Sequence, residues 1–79
     1  GYLIVQGLPA APPGKTYQAW YLSRGEPRSV GLLTVGGDGL AILTGLRYDP
    51  AVDAIAVSLE DQGGAEKPTT QPLVYGNTG

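Results

Sequence analysis

The sequence predicts an all-β domain, a small antiparallel β-sandwich with an Ig-like arrangement of two sheets. The chain has 79 residues with 13 glycines and 7 prolines, a composition that suits short strands joined by tight turns. About six apolar runs of strand length follow one another at the spacing typical of sandwich domains. No segment has the sustained 3.6-residue period of an amphipathic helix. Because a chain this short forms one domain at most, residues 1–79 are expected to be a single β-sandwich domain.

The first two strands are expected on either side of a proline-rich segment, residues 8–13. Tyr2–Gln6 is a short apolar run, and the three prolines that follow are incompatible with a regular strand. Lys15–Ser23 extends as the second strand, and successive side chains point to opposite faces. Its two faces are Tyr17, Ala19 and Tyr21, and Gln18, Trp20 and Leu22. Large apolar groups on both faces indicate an inner strand that is covered on two sides or lies at an interface.

The middle of the chain is predicted to contain a turn, a hairpin and a loop. Residues 23–29 read as a charged turn with a glycine and a proline. Val30–Val35 and Leu40–Thr44 are apolar runs joined by Gly-Gly-Asp-Gly at 36–39, and these residue types tolerate the positive φ of a hairpin turn. Residues 47–53 are expected to form another loop.

The last part of the chain has the clearest strand pattern. In Ala54–Glu60 one face is formed by Ile55, Val57 and Leu59 and the other by Ala56, Ser58 and Glu60, the period of two that marks a strand. A polar loop follows, and residues 73–75 are predicted to form the closing strand.

Composition excludes several classes of function. The formal net charge is −2 and the five cations are scattered, whereas nucleic-acid binders carry a basic stripe. The chain has no cysteine and no histidine, so thiolate metal sites and the commonest general base are absent. The glycine-rich stretch at 36–39 lacks the Lys-Ser/Thr and the helix of a phosphate-binding loop.

Acidic and hydroxyl side chains do not form a recognisable catalytic or metal-binding pattern. Asp38, Asp49 and Asp53 lack the spacing of a calcium loop and are interpreted as turn residues. Glu60 and Asp61 are adjacent, and a strand continuing through them points them to opposite faces. We therefore expect no catalytic residues, no metal site, no cofactor and no enzymatic activity.

The aromatic residues allow two interpretations. Tyr17 and Trp20 are expected to fill the core, since the chain has no phenylalanine or methionine and small sandwiches need rings inside. Tyr21, Tyr48 and Tyr75 are the candidate interaction surface. They keep open an alternative function, a secreted or surface module that binds carbohydrate or peptide.

Two blocks of residues carry a family resemblance. The first block is Leu8, Pro9, Pro13, Gly14, Lys15, Tyr17, Gln18 and Trp20. The second is Ala56, Val57, Ser58, Leu59, Glu60, Gly63, Gly64, Pro68, Thr69 and Pro72. With the glycine-bearing strands between them, they resemble the C-terminal extracytoplasmic domain of the anti-sigma-K factor family. Ala19 departs from that pattern, which typically has leucine there.

The resemblance implies a membrane-anchored anti-sigma factor. A cytoplasmic region would sequester an extracytoplasmic-function sigma factor, one transmembrane helix would follow, and this domain would lie outside the cell membrane. A processing protease would release the sigma factor. No apolar run in the chain reaches the roughly 20 residues of a membrane helix, and the chain starts inside a strand without methionine. The anchor and the first strand or strands are therefore expected upstream, and the exposed edge is expected to favour a homodimer.

Overall fold

The computed structural model describes residues 2–44 and 52–77, and in these ranges it is all-β. The strands are β1 (Tyr2–Val5), β2 (Lys15–Ser23), β3 (Glu26–Leu33), β4 (Ala41–Thr44), β5 (Ala54–Asp61) and β6 (Val74–Asn77). β1 pairs with β4, and a second sheet has the order β3-β2-β5-β6. All of these pairs are antiparallel. The predicted two-sheet β-sandwich is confirmed.

The strand positions agree with the sequence prediction, with shifts at several ends. β2 has the predicted bounds, and β5 continues one residue further to Asp61. β1 ends at Val5, one residue before the predicted end at Gln6. β6 covers residues 74–77, whereas the predicted closing strand covered residues 73–75. None of the described residues belongs to a helix that is long and apolar enough to cross a membrane.

The hairpin of the larger sheet joins β2 to β3, where the sequence predicted a charged turn. Arg24 and Gly25 both have positive φ, 52° and 80°. That backbone conformation is typical of a two-residue hairpin turn whose twist matches the flanking strands. Glu26 already belongs to β3, and Pro27 is tolerated in it because β3 is an edge strand of this sheet.

The predicted hairpin at residues 36–39 is wrong, although the turn itself is present. The Gly39 N–H donates to the Gly36 carbonyl and the Gly36 N–H to the Leu40 carbonyl, both at 3.0 Å. After the turn β4 leaves β3 and pairs with β1, with Val5 opposite Ala41. Glycine and aspartate determine that the chain reverses there. They do not determine which strand becomes the partner.

The apolar core lies between the two sheets. β1 and β4 contribute their inward side chains, and β2, β3 and β5 contribute one face of the larger sheet. The buried members are Val5, Leu8, Tyr17, Ala19, Leu33, Ala41 and Val57. Leu3 and Leu43 are partly buried and pack against this cluster.

The opposite face of the larger sheet is covered by residues 62–73, named here the covering loop. Its backbone is attached to the sheet at both ends. The Gln62 N–H donates to the Gly14 carbonyl at 2.9 Å, and the Leu73 N–H donates to the Val57 carbonyl at 2.8 Å. β2 is therefore an inner strand with both faces covered, as its sequence predicts.

Candidate functional site

Under the covering loop the larger sheet buries polar side chains. β2 and β5 are neighbours, with Trp20 opposite Ala56 and Gln18 opposite Ser58. This register places Trp20, Ser58 and Glu60 on the same face, and they are 0%, 0% and 1% exposed. The Trp20 Nε1–H donates to Ser58 Oγ at 2.9 Å. Ser58 Oγ in turn donates to Glu60 Oε2 at 2.5 Å.

The covering loop completes this chain of hydrogen bonds through Thr69. Its N–H lies 3.1 Å from Glu60 Oε1 and 3.0 Å from Oε2, and its hydroxyl donates to Oε1. Trp20, Ser58, Glu60 and Thr69 are named here the buried polar network. Ser58 and Thr69 donate to the Glu60 carboxylate directly, and Trp20 donates to Ser58. Hydrogen bonds to a charged acceptor are the strong ones.

The ionisation of Glu60 results from two opposed effects. Burial by itself raises the pKa of the Glu60 carboxyl group, but the hydrogen bonds from Ser58 and Thr69 together outweigh it and leave the pKa below its ordinary value. The negative charge of Asp61 opposes this lowering to a smaller extent. Glu60 is thus a buried carboxylate that is stabilised in its charged form by donors from the sheet and from the covering loop.

Gln18 forms a second attachment of the covering loop to the sheet. Its Nε2 donates to the Ala65 carbonyl at 3.1 Å and to Ser29 Oγ at 2.7 Å. Its Oε1 accepts from the Ala65 N–H at 2.9 Å. Gly64 passes close by, since a Cβ built there would lie 3.2 Å from Gln18 Oε1 and 3.1 Å from Leu32 Cδ2. The loop approaches the sheet so closely that glycine fits best there.

The proline-rich segment covers the other face through Tyr17. The Tyr17 hydroxyl donates to the Pro9 carbonyl at 2.6 Å. Leu8 is buried in the core, and its N–H donates to the Gly39 carbonyl at 3.3 Å. Tyr17 therefore holds residues 8–13 over the apolar side of the larger sheet.

The structure brings together the two blocks that carry the family resemblance. Trp20 of the first block donates to Ser58 of the second across the β2–β5 register. Gln18 bonds to Ala65 next to Gly64, and Lys15 forms an ion pair with Asp61 next to Glu60. Within the second block Glu60 accepts from Thr69. Gly14, Gly63 and Gly64 all have positive φ, which explains glycine at these positions. The remaining members are Val57 and the partly buried Leu59 in β5, the exposed Pro13 and Pro72, and the half-buried Pro68.

This arrangement supports the fold. In the part of the chain that the structure describes, no buried side-chain nitrogen or oxygen lacks a hydrogen-bond partner, so the network is satisfied internally. Asp38 and Asp53 accept hydrogen bonds from the backbone N–H groups of Leu40 and Arg24, at 3.1 and 2.7 Å, as turn residues do. Residues 2–44 and 52–77 contain no group of three acidic side chains suited to a metal ion.

An open depression of about 410 Å³ lies between the end of β3 and the proline-rich segment. Ala10, Ala11, Leu32 and Val35 form much of its apolar lining. Of the described residues that line it, Lys15 alone is charged, and it is already paired with Asp61. Thr16, Thr34 and Gln62 add polar groups to the lining. The depression is therefore open and of mixed polarity, whereas small-molecule sites are mostly enclosed and apolar.

Of the three tyrosines of the candidate interaction surface, Tyr21 alone has a side chain among those that the structure describes. Tyr21 is half-buried in β2. Tyr48 lies outside the described residues, and the backbone of Tyr75 belongs to β6. The tyrosine surface therefore stays a prediction.

Sequence reasoning missed the buried polar network. It placed Ser58 and Glu60 on one face of the strand correctly, but it took no account of what would cover that face. One signal was available: serine and glutamate alternate with large apolar residues in β5, and a long loop with two threonines follows. Trp20 and Ser58 are 38 residues apart, a contact that depends on the pairing of β2 with β5.

Comparisons with known proteins match the chain by sequence. The sequence model of the family described as anti-sigma-K factor rskA, C-terminal, matches residues 1–73. An uncharacterized protein in the phr 5′ region of Streptomyces griseus is 31% identical over 74 residues. That alignment includes 94% of this chain, but the chain spans only 31% of the relative's length. No solved structure matches the chain significantly.

Proposed function

The chain belongs to the family of anti-sigma-K factor RskA C-terminal domains, and from this we propose that it is the extracytoplasmic domain of a membrane-anchored anti-sigma factor. In this proposal residues 1–79 form one sensory domain that shields the neighbouring juxtamembrane segment from proteolysis. The family is regulatory, which supports a role without catalysis. It is also generally membrane-associated, which supports a location at the outer side of the cell membrane.

The partners in this proposal bind at different places. An extracytoplasmic-function sigma factor is sequestered by a separate cytoplasmic region, and a processing protease acts near the membrane. The relative from Streptomyces griseus supports this division, since the chain aligns with only 31% of its length. A second copy of this chain is also proposed as a partner.

One observation carries the shielding role: the larger sheet is covered on both faces. The second sheet and the proline-rich segment cover one face, and the covering loop covers the other through the buried polar network. Proteases need an extended, locally unfolded chain. The fraction of molecules that are unfolded and open to cleavage therefore depends on the domain's free energy of unfolding. Any signal that binds or destabilises the domain shifts that fraction.

The test is regulated cleavage in the full-length protein. Val57→Ala and Glu60→Gln should destabilise the domain by removing a core contact and a network acceptor, whereas Asp61→Asn changes an exposed neighbour of Glu60 and serves as the control. We expect the specific juxtamembrane cleavage product and sigma-dependent transcription to increase without any signal, in the order of the stability loss. Cleavage that does not follow the stability of the variants would refute the shielding role.

A further inference from the structure

The hydrogen bonds around Glu60 are balanced only when its side chain is ionised. Ser58 and Thr69 direct two hydroxyl hydrogens and one backbone hydrogen at the carboxylate oxygens. The Trp20 indole N–H already occupies Ser58 Oγ. An ionised carboxylate only accepts hydrogen bonds, whereas a protonated one adds a donor of its own. A proton on Oε2 would face the hydroxyl of Ser58 and one on Oε1 that of Thr69, so one hydroxyl hydrogen would lose its acceptor.

The two hydroxyl groups differ in their access to water. Ser58 is 0% exposed, whereas Thr69 belongs to the covering loop and is exposed. A buried donor without an acceptor is costly, and the cost disappears when the donor reaches water. Protonation of Glu60 is therefore relieved most easily by Thr69 turning away from the sheet.

The loop segment that contains Thr69 is fixed at both ends by contacts without any titratable group. At one end the Gln18 side-chain amide bonds to the N–H and the carbonyl of Ala65, at 2.9 and 3.1 Å. At the other end the Leu73 N–H donates to the Val57 carbonyl at 2.8 Å. These contacts do not change with pH. They delimit residues 66–72, named here the flap.

Between its fixed ends the flap bonds to β5 through two neighbouring threonines. Thr69 bonds to the Glu60 carboxylate. The Thr70 hydroxyl donates to the Leu59 carbonyl at 2.8 Å, and this bond is exposed. Because water competes for an exposed, uncharged hydrogen bond, the bonds to the buried carboxylate are the stronger attachment of the flap.

We propose that the flap is an acid-released element: protonation of Glu60 frees residues 66–72 from the sheet while the strands stay paired. The flap then moves about its fixed ends at Ala65 and Leu73, and water enters between it and β5. At neutral pH Glu60 is ionised and the flap is closed. This inference does not rest on the shielding role.

The direction of the pH dependence follows from linkage. Burial raises the pKa of Glu60, but the hydrogen bonds from Ser58 and Thr69 outweigh it, so the pKa in the closed form lies below the ordinary value. In the open form the carboxyl group meets water, and its pKa returns towards about 4.3. Closure is therefore fully favoured above about pH 4.3 and is lost as the pH falls through the lower pKa of the closed form.

The other charged groups on the elements around Glu60 have weaker effects. Asp61 follows it in β5 and opposes the lowering of its pKa, but Asp61 is paired with Lys15 of β2. Glu66 and Lys67 belong to the flap, have opposite charges and are exposed, so salt screens them. β6 and the two strands of the smaller sheet contain no charged residue.

An NMR titration of the 79-residue chain tests the proposal. The Glu60 carboxyl carbon and the Thr69 N–H should shift with one common midpoint below about pH 4.3. Over the same range the backbone order parameters of the flap should fall below about 0.6, while those of β2 and β5 stay near about 0.85.

Two variants separate Glu60 from the carboxylate in the flap itself. Glu60→Gln replaces the carboxylate with a group that carries its own N–H donors, as the protonated acid does. Its flap should be mobile already at neutral pH and should not respond to acid. Glu66→Gln is the matched control, and its flap should open over the same pH range as in the unmodified chain.

Three results would overturn the inference. The flap could keep its high order parameters after the Glu60 carboxyl group has titrated. The flap and the strands could lose order at the same pH, which would be global unfolding. The transition could persist in Glu60→Gln and disappear in Glu66→Gln. The titration of the unmodified chain decides the first two even if Glu60→Gln does not fold. None of these measurements involves cleavage, so a failure here is distinguishable from a failure of the shielding role.

Discussion

Glu60 connects the sheet to the covering loop by direct hydrogen bonds. It accepts hydrogen bonds from Ser58 in its own strand and from the backbone and side chain of Thr69. A buried carboxylate is costly unless donors compensate it. The fold therefore needs the loop to be closed as long as Glu60 is ionised, and loop closure and charge are coupled.

We expect Glu60→Gln to lower the free energy of unfolding by about 1–3 kcal/mol, the cost of losing a charged acceptor whose buried donors remain. An amide keeps the shape of the side chain but offers a single acceptor oxygen. Asp61→Asn is the control at the next position, where the side chain is exposed, and it should have little effect. Urea denaturation measures both. Equal losses in the two variants would mean that the buried network contributes no more than a surface charge.

The pH dependence of stability follows from the same carboxylate. The pKa of Glu60 is raised by burial but lowered further by its hydrogen bonds, so it is lower in the folded protein than in the unfolded chain. A group of this kind stabilises the fold fully above its unfolded pKa, about 4.3 for glutamate. That contribution is lost as the pH falls through the folded pKa.

The free energy of unfolding should therefore decrease below about pH 4.3, and Glu60→Gln should show a smaller decrease. Asp61 contributes in the same direction, because the hydrogen bond and positive charge of Lys15 lower its pKa, but this pair is exposed and screened by salt. Denaturation curves between neutral and acidic pH test this. An acid response unchanged by Glu60→Gln would assign the pH dependence to other carboxylates.

Tyr17 attaches the proline-rich segment in the same way that Glu60 attaches the covering loop. Tyr17→Phe keeps the buried ring and removes the donor to the Pro9 carbonyl, so we expect a loss of about 1 kcal/mol. Tyr2→Phe is the matched control, because Tyr2 is mostly exposed. Thermal unfolding compares the two. A Tyr17→Phe variant as stable as Tyr2→Phe would show that water replaces the bond without cost.

At the scale of elements, the covering loop provides a comparison between neighbouring glycines. Gly63 and Gly64 have φ of 97° and 87°, so alanine is strained at both. Only at Gly64 would the new Cβ also contact Leu32 and Gln18; at Gly63 it would meet nothing within 4 Å. We expect Gly64→Ala to be less stable than Gly63→Ala by about 1 kcal/mol. Equal stabilities would mean that the loop can move away from the sheet at no cost.

Strands were easier to predict than their pairing. The bounds of β2 and the alternation in β5 follow from local patterns, because apolar side chains at every second position of each strand mark the face that packs into the core. The turn at Arg24 and Gly25 was predicted too long, as residues 23–29, because Pro27 resembles a strand breaker, and only the edge position of β3 makes it acceptable. The partner of β4 was missed because pairing between β1 and β4 depends on contacts distant in sequence.

At the scale of the whole molecule, the two sheets should differ in local stability. In the larger sheet β2 is paired on both sides and covered on both faces. β1 and β4 have four residues each and pair only with one another in the described residues. Local opening requires least free energy where few backbone hydrogen bonds are shielded.

In dilute, monomeric protein we therefore expect amide hydrogens of β2 and β5 to exchange slowest and those of β1 and β4 markedly faster. Hydrogen exchange followed by NMR measures this residue by residue. If β1 were as protected as β2, the two sheets would open as one cooperative unit. In that case a protease would gain access only through global unfolding.

The position of the only tryptophan has an optical consequence. Trp20 is fully buried, and its indole N–H is joined through Ser58 to Glu60, which holds the covering loop. Because the chain has one tryptophan, its fluorescence emission comes from this single environment. Water reaching the indole would shift that emission to longer wavelength, so opening of the loop can be followed in real time without attaching a dye.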